Sequence, residues 1–169
     1  PADQPAPAPQ AFTDEEIRHE VNAYLNVIDR PIPAARWKEL GPRAAPLLEA
    51  VIADEREFPS RRAMAVDGLT AAAPDRAKLV LGNVARDTAQ PGVVRVAAMH
   101  GAAEVLAPAD AARELRPVLR SARTPGLRAA AADALSRKST ACAEVRDQAA
   151  RETPEHRPAF DRALKRCAE

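Results

Sequence analysis

No run of about 18 apolar residues occurs in the 169-residue chain, so no segment is long and greasy enough for a membrane-spanning helix. Aromatic side chains make up 3% of residues. A thick spherical core would need Leu, Ile and Val in their place, and the chain offers alanine instead. Glycine is scarce, with 6 residues, and no Gly-rich phosphate loop is present. No Gly-x-Ser-x-Gly elbow surrounds Ser60, Ser121, Ser136 or Ser139, which fall in loops or at helix ends. Nor is there an excess of charge: 25 cations against 24 anions leave +1, no bulk attraction for nucleic acid.

Histidine and cysteine are equally sparse. His19, His100 and His156 are far apart in sequence. The His19-Glu20 pair is similar to the His-Glu motifs of HEAT-like di-iron hydroxylases, but those need several such pairs, and this chain has one. No metal, cofactor or catalytic residue is therefore expected, and the chain does not read as an enzyme. Cys142 and Cys167 fall near opposite ends of a helical pattern that turns at Thr153-Pro154. An antiparallel hairpin there brings them together and predicts a disulfide closing about 25 residues, worth roughly 3–4 kcal/mol in the chain-entropy model. Such a bridge implies an oxidising compartment, periplasmic or secreted, whereas reduced thiols would imply the cytoplasm.

What the chain has in plenty is Ala (40 residues) and Arg (21, against 4 Lys), within a hydrophobic content of 46%. That content excludes global disorder and favours helices. The segment Pro1–Gln10 has four Pro and nothing large to bury. Residues 1–12 read as a flexible, solvated Pro/Ala-rich tether, as at the mature end of an exported protein. A lipid tether would also fit. Residues 13–169 read as one domain.

That domain repeats. Arg62, Arg95 and Arg128 are spaced by 33 and 33. Small or apolar residues follow each at the same offsets, with Gly68, Gly101 and Ala134 at +6 and Leu69, Ala102 and Leu135 at +7. A fourth copy starts at Arg157, 29 residues on, with Ala159, Phe160, Ala163 and Leu164 in register. Each copy follows another amphipathic pattern: Ala44-Leu48-Val51-Ile52, then Ala77-Leu81-Val84-Ala85, then Ala111-Leu115-Val118-Leu119. Pro42, Pro74 and Pro108 stand at first helical positions, and Thr13 with Glu16 has the form of a capping box. Ile17, Val21, Leu25 and Ile28 line one face of the first helix, which Pro31 and Pro33 stop. Ala34 to Leu40 is a short helix carrying Trp37, and Trp37 with Tyr24 forms an apolar plug.

The pattern predicts an all-α chain of about five antiparallel hairpins over 13–41, 42–72, 74–106, 108–137 and 140–168. None buries its apolar face alone, so stacking into a right-handed α-solenoid is expected. The set Pro46, Asp54 and Arg62, with Asp87 and Val94-Arg95 and then Leu127-Arg128, resembles HEAT repeats. The short period is more similar to the HEAT-like repeats named after phycobilisome lyases. The third unit departs from the pattern, with Pro117 out of register and Arg120 where Asp belongs. That resemblance implies a non-enzymatic scaffold for a protein partner. A lyase-like or chaperone role on a pigment- or cofactor-bearing protein is implied by the family alone.

Two rows follow from the register. The Arg row (Arg62, Arg95, Arg128, Arg157) is expected to tie each layer together, through an Asp or through carbonyls left open at the preceding helix end. The +5 row (Asp67, His100, Asp133, Arg162) is expected to form one column facing a concave groove, the candidate protein-binding surface. The alternative reading is a nucleic-acid-binding or DNA-repair HEAT-like module, to which the cations between Arg113 and Lys138 would contribute. No aromatics interleave with those cations to stack bases, and two Asp in the +5 row oppose that reading.

Overall fold

The computed structural model describes residues 12–27 and 30–169. The tether up to residue 11, and Ile28 on the first helix face, lie outside the described residues. The described chain is all-helical, with no strand among the described residues. Ten α-helices follow in order: α1 Asp14–Leu25, α2 Ala34–Leu40, α3 Ala45–Ala53, α4 Pro59–Ala72, α5 Pro74–Arg86, α6 Gly92–Val105, α7 Pro108–Ser121, α8 Pro125–Ser136, α9 Cys142–Arg151 and α10 Asp161–Arg166. Single 3-10 turns, Pro42–Ala44 and Arg157–Phe160, lead into α3 and α10.

Local chemistry sets these boundaries. Thr13 Oγ1 accepts the Glu16 N–H at 3.2 Å while Glu16 Oε2 accepts the Thr13 N–H at 2.7 Å, a reciprocal cap that starts α1. Pro59, Pro74, Pro108 and Pro125 each open a helix, where the missing N–H costs nothing. The first helix ends at Leu25, short of Pro31. Asn26 takes the cap position, its N–H donating back to Ala23.

Consecutive helices pack in pairs: α3 on α4, α5 on α6, α7 on α8 and α9 on α10. The second helices also pack on one another in sequence, α2 on α4, α4 on α6, α6 on α8 and α8 on α10. The interior lies between the two sets. Leu48, Leu69, Leu81, Leu115, Leu119 and Leu135 are wholly buried, separated by buried alanines such as Ala65, Ala98 and Ala131. Trp37 is buried with its ring edge-on to Tyr24, centroids 5.0 Å apart.

The repeated +6 position has a specific cause. A Cβ at Gly68 would come within 3.0 Å of the Trp37 ring, and one at Gly101 would strike the Thr70 hydroxyl and Leu81. Glycine here lets α4 and α6 sit tightly against the layer before.

The Arg row binds helix ends. Arg62 Nε donates to the Ile52 carbonyl at 2.9 Å, and Arg95 Nε donates to Ala85 at 2.9 Å. Arg128 donates to Ala122 at 2.7 Å, and Arg157 to Ala149 at 3.3 Å. Each acceptor is a carbonyl at or just past the end of the preceding helix, the group a helix leaves open. Asp54 and Asp87 do not pair with the row. Each turns back on its own loop, accepting the N–H of Arg56 or Ala89 two residues on.

At the C-terminal end, Cys142 and Cys167 form a disulfide with Cα atoms 5.5 Å apart, joining the start of α9 to the end of α10. Among the described residues, no helix is long and apolar enough to cross a membrane.

Candidate functional site

The +5 row lies on the second helices, Asp67 on α4, His100 on α6, Asp133 on α8 and Arg162 on α10. Three of the four are gathered by the helix packing, and their neighbours one turn further on join them. Asp67, His100, Glu104 and Arg137 line a single cleft of about 230 Å³ floored by Trp37, Thr70 and Gly101. It continues past Asp67 into a second depression of about 340 Å³, lined by Ile32, Ser60, Met64 and Val93. Val93 is 50% exposed, one of three large apolar side chains so open among the described residues.

Asp133 is the hub of the polar cluster. Its carboxylate accepts from Arg166 Nη1 at 2.6 Å and from Arg137 at 3.1 Å, and His100 Nε2 lies 3.5 Å away. Burial would raise its pKa, but the hydrogen bond from Arg166 and the charges of both arginines hold it below the usual carboxylate range. His100 is pushed down, chiefly by burial and then by Arg137, so its ring is neutral at pH 7.

Asp67 behaves in the opposite way. It is open to solvent along one side, yet the packed floor around it pushes its pKa up to about 6, and the Glu104 charge adds to this. Neither carboxylate has a cationic partner among the described residues. The cleft therefore runs from two acids without an ion pair among the described residues, at its α4–α6 end, to Arg137, itself paired with Asp133.

Arg162 is exposed and takes no part in this cluster; Arg166 stands in its place against Asp133. The α10 side chain that reaches α8 is the one a helical turn further on. Glu104 and Arg137 were legible in principle. With Arg166 they form a second row at +9 after Arg95, Arg128 and Arg157, one helical turn beyond the +5 row, with Ala71 at that place after Arg62.

Other candidate features resolve simply. Arg113 bonds Asp110 at 2.7 Å and Arg116 bonds Glu144 at 2.9 Å; with Arg128 on Glu152 and Arg137 on Asp133, four of the seven cations from Arg113 to Lys138 are already ion-paired. His19, His100 and His156 do not converge, and no group of three His, Cys, Asp or Glu among the described residues could hold a metal. No family model, curated protein or solved structure matches the chain.

Proposed function

We propose that the chain is a non-enzymatic protein-binding module, a right-handed α-solenoid of five HEAT-like hairpins that presents the face of its second helices to an extended partner segment. Support for the stacking comes from the pairing of successive helices and from the even-numbered helices packing on one another in order. The HEAT-like reading rests on the Pro46, Asp54, Arg62 set and its partial repeats. The disulfide supports an extracytoplasmic setting, where such bonds persist.

One observation carries the binding reading: Asp67 and Glu104 line one cleft with no ion-pair partner among the described residues, and burial first, with the Glu104 charge second, pushes Asp67 up to about 6. A Lys or Arg of a partner relieves this arrangement. The Arg137 end fits the partner's acidic or carbonyl groups, which fixes the direction in which a segment lies. A preformed stack loses little freedom on binding.

The test is peptide display against the intact chain. Selected peptides should be basic, and Asp67→Arg with Glu104→Arg should abolish their binding with circular dichroism unchanged. Peptides that bind this double variant as well as the parent, or that shift amides only on the odd-numbered helices, would overturn the reading.

A further inference from the structure

A second site lies away from that cleft, in the turns between paired helices. In two layers the repeat arginine finds an acceptor in the turn of the next hairpin. Arg62 Nη2 donates to Gln90 Oε1, and Arg128 grips the Glu152 carboxylate with Nε and Nη2. Arg95, in the layer between, does not. Its Nε caps Ala85, but neither Nη has an acceptor among the described residues, although the residue is only 7% exposed. The turn that should supply one carries Arg123 instead. Asp87 is close enough for its charge to be felt, but its oxygens already accept from the Ala89 N–H at 2.9 Å and the Gln90 amide at 3.0 Å.

The space where a Gln or Glu would sit is a cleft of about 480 Å³ lined by Arg86, Thr88, Arg95, Ser121, Arg123 and Thr124. Arg86 is partly neutralised by Glu114 at 3.1 Å, while Arg123 makes no ion pair among the described residues. The two Nη groups of Arg95, the Arg123 side chain and three hydroxyls converge on a volume suited to a small ligand. The Arg95 Nη groups open onto this cleft, and a planar oxyanion there satisfies them bidentately.

We infer that this cleft binds a carboxylate, supplied from outside the chain, which takes at Arg95 the place that Glu152 takes at Arg128. The geometry serves a free dicarboxylate or the acidic side chain of a partner segment equally, because both offer the same group.

The side-chain Nε–H resonances of Arg95 and Arg123, followed by NMR at constant ionic strength, test this. Succinate, an N-acetylated, C-amidated tetraglutamate peptide and inorganic phosphate are titrated separately. Saturable shifts with succinate or with the peptide support the site, and the tighter of the two assigns the source. The variant Arg123→Glu, in an exposed turn, builds the carboxylate into the chain. It should lower affinity for either probe by more than about tenfold and raise the melting temperature. Three results would overturn the inference: no saturable shift with either carboxylate, saturation by phosphate alone, or undiminished binding in Arg123→Glu.

Discussion

The Arg128 guanidinium meets the Glu152 carboxylate side by side, Nε to Oε1 at 2.5 Å and Nη2 to Oε2 at 2.6 Å, with the Glu152 side chain only 3% exposed. Gln148 donates a further bond at 2.9 Å. This joins α8 to the end of α9, and so the last hairpin to the one before it.

The pair gives a prediction with a definite sign. The hydrogen bond from Arg128 holds Glu152 at about 2, against an ordinary value of 4.5. Its stabilising contribution is present above pH 4.5 and is lost as pH falls towards 2. Glu152→Ala should cost about 3 kcal/mol at pH 7, because it leaves Arg128 uncompensated. Urea unfolding at pH 7 and pH 3 measures this, and the gap between parent and variant should narrow at the lower pH.

Asp67 should act in the reverse sense. Folded, it titrates near 6, and unfolded near 3.8. The folded chain then holds a proton that the unfolded chain has lost, so this residue's contribution falls as pH rises through that window. Asp67→Asn should remove the decline and raise the melting temperature at pH 8. An identical pH profile in parent and variant would contradict the assignment.

The disulfide predicts that native, unreduced protein takes up no alkylating reagent at Cys142 or Cys167. Cys142→Ala with Cys167→Ala should cost roughly 3–4 kcal/mol. Hydrogen exchange should show the loss first in α10, which has a neighbouring layer on one side only.

Two glycine substitutions should differ sharply. Gly101→Ala forces a methyl into Thr70 and Leu81, and should cost about 1–3 kcal/mol as overpacking. Gly82→Ala meets only the Glu114 side chain, its carboxylate at 2.7 Å and its Cγ at 3.0 Å, and a flexible side chain yields more readily than the packed Thr70 and Leu81. Thermal melts of both should show a large drop for the first and a small change for the second.

Much of the helical outline was legible because the repeat is written in small residues at fixed offsets. Ala34 to Leu40 forms α2 as the pattern implied, and Leu81, Leu115 and Leu135 are buried in the phase they suggested. The carbonyl-capping arginines followed from the same register. Legibility failed where local geometry broke it. The end of α1 depends on a cap at Asn26 that periodicity does not reveal. Arg166, not Arg162, meets Asp133, a contact between residues 33 apart that the +5 spacing alone does not point to. The grip of Arg128 on Glu152 joins residues 24 apart across two hairpins, a distance no single-helix pattern encodes.

Arg62 and Arg95 each close onto a carbonyl only ten residues upstream, inside their own hairpin. Closure at that range demands little chain entropy. In the repeat stack proposed above, folding can then start from whichever helix pair forms first and spread to its neighbours. A chain damaged at one terminus would keep a competent nucleus elsewhere.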